Sequence, residues 1–470
     1  MGISAMRSLI RLVFIVGVIS VLGGCASSSI FTSYPMQIQP IKMQIQAKQY
    51  TAAQTTLEKH RNDADKILYM MERGRTSQLA NDRKSSIEDF KQVIEAMEAN
   101  EDKAIISLTD AAAQGSALLT NDNAIPYAGE AYERVFVHQY QAMNYLFSNN
   151  LEAARVEVKR AGIEQRVALN AHEDELADAE EKSRENADKN KSFSDAFAAM
   201  DAVAGKVKNS FQNAYTFYVS GVIYEMLDKP NDAYIDYKKA LEIFPDNVYV
   251  QKDVLRLAKQ LGMRQDYDLY KKRYPVEVVT PGVNEGEVVL FFEHGYAPIK
   301  TEVSVPIFVD NKAQKVAFPI YAMTWIEPTT LRVSVAGGAS MGETSPIVYV
   351  QSMAVKALQE KLPAMLARQI LRLVAKQEMA KTAGKAGGPL AQLGANIFNI
   401  LSENADRRNW LTLPNDAQIL RVSLPEGEHH LILNNGKAKG SITVKVVPGK
   451  KTVVRVVATE KTLHTDAVVM

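Results

Sequence analysis

Apolar and polar positions divide this chain into three stretches of different rhythm. The first is a single apolar run, Leu12–Leu22 (LVFIVGVISVL), preceded by Arg7 and Arg11 and by no acid. From about Lys42 to Pro275 apolar residues recur three or four apart, the helical period. The clearest unit is Phe211–Asn247, where Phe217, Gly221, Tyr224, Ala233, Tyr237, Ala240 and Pro245 follow at spacings of 4, 3, 9, 4, 3 and 5. That spacing predicts two antiparallel helices. Gly221 and Ala233 allow close approach, Tyr224 and Tyr237 fill the gap, and Pro245 ends the second helix. Past Pro275 the rhythm changes again. Short β-rich runs at Glu287–Phe292, Lys300–Val309, Leu331–Ala336 and Ile347–Val350 are separated by Gly, Pro and Asn. More follow at Ala417–Leu424, His430–Leu433, Ser441–Val447 and Thr452–Ala458, with turns at Pro425-Glu426-Gly427 and Asn435-Gly436.

The Phe211–Asn247 pattern resembles the tetratricopeptide repeat. Looser units in the same frame are Ile67–Asn100, with Gly74, Ser86, Phe90 and Val93, and His138–Gln165, with Ala142, Tyr145, Ala154, Val158 and Ala161. Lys48–His60 reads as an opening helix and Val248–Tyr274 as a worn terminal unit. Stacked pairs of this kind form a solenoid whose concave face commonly binds peptides or proteins. Between units, Ala171–Lys191 is acid-rich and nearly free of apolar residues, the signature of a solvated helical arm. Within the β half, Ser352–Lys381 returns to helix. Pro389 begins a second helix with Leu390, Leu393, Ile397 and Leu401 on one face, so the pair reads as an amphipathic hairpin.

The N-terminal run is too short to span a bilayer comfortably and has the layout of a secretory signal. It ends in Leu22-Gly23-Gly24-Cys25, which resembles the bacterial lipobox. That resemblance implies cleavage before Cys25, diacylation of its thiol and acylation of its new amine. Ala26 in place of Asp implies an outer-membrane address. Several acyl chains hold far better than one. Ser27–Pro40 is polar, uncharged and Pro-containing, and reads as a tether.

Composition changes this picture little. The 470 residues include 55 Lys+Arg, 54 Asp+Glu and one Cys. A near-zero net charge leaves no broad footprint for nucleic acid. One Cys excludes an intramolecular disulfide framework and a Cys-rich metal site. Removal of Arg7 and Arg11 would take the formal charge from +1 to −1, so anchoring would rest on acyl chains and not on a basic patch.

Two constellations could carry chemistry. Pro126–Leu146 (PYAGEAYERVFVHQYQAMNYL) holds Tyr127, Glu130, Glu133, His138 and Tyr140. Without a second His at ligand spacing, it reads as a helix start with a buried aromatic stripe and not as a metal site. Gly338-Ala339-Ser340-Met341-Gly342 matches G-x-S-x-G, with Asp406 and His429 or His430 as conceivable partners. The serine elbow needs a helix immediately after it, and Glu343-Thr344-Ser345-Pro346 leads into another strand-like run. There is no P-loop, no G-x-G-x-x-G in a βαβ unit and no H-E-x-x-H.

The Pro126–Leu146 run resembles the hallmark of a family of poorly characterised bacterial lipoproteins with tetratricopeptide helices. Ile67–Phe90 (ILYMMERGRTSQLANDRKSSIEDF) resembles its upstream motif. Arg407–Leu433, which contains Trp410, resembles its C-terminal motif. Genes of that family often lie near those of lipoproteins resembling LpoB, an activator of penicillin-binding proteins, which implies a connection to cell-wall synthesis.

The expected architecture is α+β: a TPR-like α-solenoid followed by a β-sandwich-like domain with an inserted amphipathic helical hairpin. The expected divisions are a signal over 1–24, a lipidated tether over 25–45, helical repeats over 46–275 and the β-rich domain over 276–470, its insert at 352–404. The expected function is a non-enzymatic, outer-membrane-anchored periplasmic scaffold for envelope proteins, without cofactor or metal. Its candidate partner-binding residues are Tyr127, Glu130, Glu133, His138, Tyr140 and Trp410, and Cys25 is its lipidation site. The alternatives are an envelope hydrolase using Ser340 and a structural subunit of an outer-membrane complex. Sequence alone names neither the partner nor the oligomeric state.

Overall fold

A computed structural model describes residues 32–107, 125–186, 200–309, 312–322, 325–338, 340–365, 367–369, 371–375 and 405–470. Cys25, the signal run and the second helix of the expected hairpin lie outside them.

The N-terminal part is built from helices: α1 (Tyr34–Gln46), α2 (Tyr50–Glu58), α3 (Lys66–Leu79), α4 (Arg83–Ser107), α5 (Ala131–Phe147) and α6 (Leu151–Asn186). After the short α7 (Asp201–Ala204) come α8 (Ala214–Met226), α9 (Pro230–Ile243), α10 (Val248–Gln260) and α11 (Arg264–Arg273). Each expected repeat is one helix pair: α3 with α4, α5 with α6, α8 with α9, α10 with α11. The reason for Gly221 is steric. A β-carbon there would lie 2.3 Å from the Tyr237 ring, and one at Gly74 would lie 3.0 Å from the Phe90 ring. Caps set the helix starts. The side chains of Asn213 and Asn247 accept backbone N–H bonds from the first turns of α8 and α10. The acidic stretch after Ala171 continues α6 as helix to Asn186.

Among the described residues the C-terminal part holds three sheets. Five strands run in the order β11 (Thr462–Val469), β10 (Lys451–Thr459), β1 (Glu285–His294), β7 (Asp416–Pro425), β6 (Ser345–Val348). Four run in the order β5 (Ser340–Glu343), β4 (Arg332–Val335), β8 (Gly427–Asn434), β9 (Lys439–Val446). β2 (Thr301–Val309) and β3 (Lys312–Ile320) form a separate hairpin. A helix, α12, occupies 350–365, where the first helix of the insert was expected.

The two halves share a core. Alternate residues of β1 go to opposite faces. Val288, Leu290 and Phe292 pack with Leu331, Val333, Leu431 and Leu433 of the four-stranded sheet. Val289 and Phe291 join the core of the helices. The central sheet is therefore covered on both faces, which explains the unbroken apolar run Val288–Phe292.

One expectation needs correction, and two features of the β half carry no local signal. The tether does not reach residue 45, because α1 begins at Tyr34 and buries Tyr34, Ile38, Ile41 and Ile45. Pro35 sits in its first turn, where a missing N–H costs nothing, and Pro40 lies on an exposed position. The last strand, β11, went unread because Thr462–Val469 mixes polar and apolar residues. It is held by pairing with β10, by Arg83 on Asp466 at 2.6 Å and by the Tyr50 hydroxyl on His464 at 2.6 Å. Finally, β1 and β10 pair in parallel although far apart in sequence. Hairpin signals cannot anticipate such a pairing.

Candidate interaction site: the seam between helices and sheets

The three motifs that carry the family resemblance meet in one place. Ile67–Leu79 forms α3, Ala131–Phe147 forms α5, and residues 405–415 form an irregular segment that runs into β7. Two fully buried carboxylates, Glu72 of α3 and Glu133 of α5, grip that segment by its backbone. Glu72 accepts the N–H groups of Leu411 at 2.7 Å and Thr412 at 3.1 Å. It also accepts the hydroxyls of Thr412 at 2.5 Å and Tyr34 at 3.0 Å. Glu133 accepts the N–H of Trp410 at 2.7 Å and that of Glu130 at 2.9 Å, together with the Tyr127 hydroxyl. Trp410 is buried edge-on to Tyr140, with centroids 5.7 Å apart.

Burial dominates the electrostatics here. It pushes the Glu72 carboxyl up to about 7, against the pull of the Thr412, Leu411 and Tyr34 donors and of Lys42. Burial and the neighbouring Glu130 charge raise Glu133 as well. Among the described residues neither carboxylate has a paired cation, and backbone and hydroxyl donors stabilise the charge instead.

Elsewhere the seam is ionic. Arg75 of α3 pairs with Glu293 of β1 in full burial, and its guanidinium lies 4.3 Å over the Tyr140 ring. The Tyr140 and Tyr215 hydroxyls also donate to Glu293, at 3.3 and 3.2 Å. Farther along, Arg421 of β7 meets Glu225 of α8 at 2.8 Å, Asp253 of α10 at 3.1 Å and Glu287 of β1 at 2.8 Å. Arg256 and Lys451 complete the group. Despite the cost of burial, Arg421 and its neighbouring cations hold Glu225 well below the usual carboxylate range and bring Glu287 down to about 2. Arg408 closes the near end, on Asp65 at 2.5 Å and Asp406 at 2.7 Å.

One regularity runs through these contacts. The first helix of each pair, α3, α5, α8 and α10, carries most of the residues that meet the β half; Arg83 and Tyr237 add contacts from second helices. Strands of the β half and residues 405–415 cover this side of the helices. The second helices contribute fewer of these contacts, among them Phe90 of α4 against Trp410. Between α6, α8 and α9 lies a groove of about 240 Å³ lined in part by Gln165, Arg166, Phe217 and Lys239.

Of the sequence-proposed residues, Tyr127, Glu133, Tyr140 and Trp410 come together in the seam and are buried. Glu130 lies at the edge, paired with Lys361 of α12. His138 is apart from them, buried between α5 and α6 on Glu157 at 2.7 Å. Glu72, Arg75, Glu293 and Arg421 were not anticipated. The available signal was an acid inside the strongly apolar run ILYMMERG, where a surface position is implausible. Ser340 opens a strand, β5, and the next element is another strand, β6, not a helix. Asp406 is engaged by Arg408, and His429 by the Pro425 carbonyl at 2.8 Å. Among the described residues no cluster of three or more His, Cys, Asp or Glu could hold a metal, and no helix is long and apolar enough to cross a membrane.

No protein-family model matches the chain, and no curated protein sequence matches it. Among solved structures it is similar to MamA, at 12% identity over 49% of this chain and 90% of MamA, with a TM-score of 0.28. It is also similar to a tetratricopeptide repeat protein from Parabacteroides merdae, at 12% identity over 52% of this chain and 68% of that one, TM-score 0.28. A third is the TPR2AB domain of yeast Sti1 in its pHSP90 complex, at 14% identity over 51% of this chain and 91% of that one, TM-score 0.20.

Proposed function

We propose that this chain is a periplasmic lipoprotein of the outer membrane, anchored by acyl chains on Cys25, that serves as a scaffold for envelope proteins in cell-wall assembly. The observation that carries the reading is the closed seam. Helices and central sheet share one core, so the molecule presents fixed surfaces, as a scaffold must. The inner face is occupied by the chain itself, so a protein partner docks on the outward helices. Ile163 and Val167 of α6 and Ile235 of α9 are exposed there beside the α6–α8–α9 groove. The lipobox supports the anchor, and the family's gene neighbourhood supports the process.

The test places a photocrosslinking residue at Ile163 or Ile235 in the full-length protein in living cells. The expected outcome is a discrete adduct with an envelope protein. Absence of any adduct from both positions, with the protein present in the outer-membrane fraction, overturns the outward-face scaffold.

A further inference from the structure

The helix α1 differs from its neighbours in having no charge on its exposed side. Its sequence, YPMQIQPIKMQIQ, contains one charged residue, Lys42, which is only 5% exposed and lies over the Tyr296 ring. Other groups of this helix are tied to the fold. Tyr34 donates to Glu72, the Tyr69 hydroxyl donates to Gln37 at 2.6 Å, and the Thr462 hydroxyl donates to the Gln46 carbonyl at 2.7 Å. What remains outside is a single stripe at helical spacing, Met36, Gln39, Pro40, Met43, continued by Ala47. Met36 is 65% exposed and Met43 60%. Ordinary surface helices present charge to water, as α11 does with Arg264, Asp266, Lys271, Lys272 and Arg273. Two exposed methionines on an uncharged stripe form a surface that water does not favour.

The length of chain before α1 says what covers this stripe. Cys25 and Tyr34 are nine positions apart. Even fully extended, such a stretch spans at most about 30 Å. If Cys25 carries the acyl chains, α1 is the first folded element behind the bilayer and cannot leave its vicinity. A rigid helix clamped between both halves of the molecule would then meet the headgroup layer with its free side.

We propose that the Met36–Met43 stripe of α1 rests on the bilayer surface, in the headgroup and upper acyl region, and sets the orientation of the whole protein on the membrane. This rests on the acylation of Cys25 proposed above. Because the stripe is uncharged, the contact is apolar, and neither added salt nor the fraction of anionic lipid changes it. Lys42 takes no part in it, being turned into the fold. The β11 end of the central sheet, tied to α1 through Thr462, lies on the membrane-proximal side. The α6–α8–α9 groove stays free for a protein partner.

The experiment uses the full mature lipoprotein, purified and placed in phosphatidylethanolamine–phosphatidylglycerol nanodiscs. Acylation blocks the native thiol, so Met43→Cys supplies the only free one for an environment-sensitive fluorophore. Val283→Cys, at a position 95% exposed and remote in sequence, is the control. The expected result is a blue-shifted label at position 43, quenched several-fold more by spin-labelled lipid than the label at 283, unchanged by high salt. Equal quenching at both positions overturns the proposal, provided mass spectrometry shows acylated Cys25 and the protein remains on the disc. A label at 43 that is shielded from water but not quenched by lipid also overturns it, and assigns the stripe to the chain's own N-terminal residues. An unmodified Cys25 on protein that does not stay with the disc instead defeats the anchor reading, and this inference with it.

Discussion

The two ends of the seam solve the same problem in opposite ways. Both bring carboxylates from the helices into a dry interface with the β half. Around Arg421, three acids, Glu225, Asp253 and Glu287, face three bases, Arg421, Arg256 and Lys451, so charge is balanced inside the interface. Around residues 410–412, Glu72 and Glu133 have no paired cation among the described residues and are satisfied by backbone N–H groups and hydroxyls. The balanced end is strongly ionic, with Glu287 brought down to about 2. At the unbalanced end burial wins, and Glu72 rises to about 7. Pairing by charge tolerates many side-chain geometries. Pairing by backbone N–H demands one path of the main chain, so Glu72 and Glu133 dictate how residues 410–412 run.

This contrast can be broken at three points, taken from the largest effect down. Arg421→Met should strand Glu225, Asp253 and Glu287 in burial and cost about 3–5 kcal/mol, the range for removing one member of a buried ion group. Urea unfolding at neutral pH measures it, and a loss within error of zero would mean Arg256 and Lys451 suffice alone. The second point is pH. Glu72 has its folded value raised from 4.5 to about 7, so the folded state binds its proton more tightly than the unfolded chain does. Its contribution is most favourable below about 4.5 and is lost as pH rises toward 7, on the order of 3 kcal/mol in all. Glu287 has the opposite sign: its contribution is complete above 4.5 and disappears as pH falls toward about 2. The difference in urea midpoint between wild type and Glu72→Gln should therefore change between pH 5 and pH 8, in the direction that penalises wild type at pH 8. A difference independent of pH would show that Glu72 does not titrate in this window. The smallest effect is at the surface. Lys91 and Glu95 are both well exposed and 3.9 Å apart. Lys91→Ala should leave the midpoint unmoved, and a measurable loss there would blur the line between seam and surface.

Much of the helical half could be read directly from residues. Gly221 with Tyr237, and Gly74 with Phe90, encode close packing between helices that are adjacent in sequence, and local spacing records such contacts. The apolar run of β1 and the turns at Pro425–Gly427 and Asn435–Gly436 likewise marked strands. The helix at Tyr34–Gln46 was hidden by its two prolines and its lack of charge, yet Ile38, Ile41 and Ile45 keep the helical period. The site was legible only in fragments. Tyr127, Glu133, Tyr140 and Trp410 stood out as unusual residues in unusual motifs, and they do meet. Glu72 and Arg75, three residues apart, would pair with each other on an isolated helix. In the fold they turn to different partners, Leu411–Thr412 and Glu293, which lie hundreds of residues away.

The sequence by itself determined the order of elements, the helix pairs and the change from helix to strand near Pro275. These depend on periodicity, turn chemistry and short motifs, all local in the chain. Only the tertiary structure decided that one side of the helical half is covered by the chain's own sheet and by residues 405–415, and that one uncharged stripe of α1 is left outside. Those outcomes depend on which buried polar groups find partners across the largest sequence separations. No local pattern records that choice, because the burial cost of Glu72, Arg75 or Arg421 exists only once the two halves have come together.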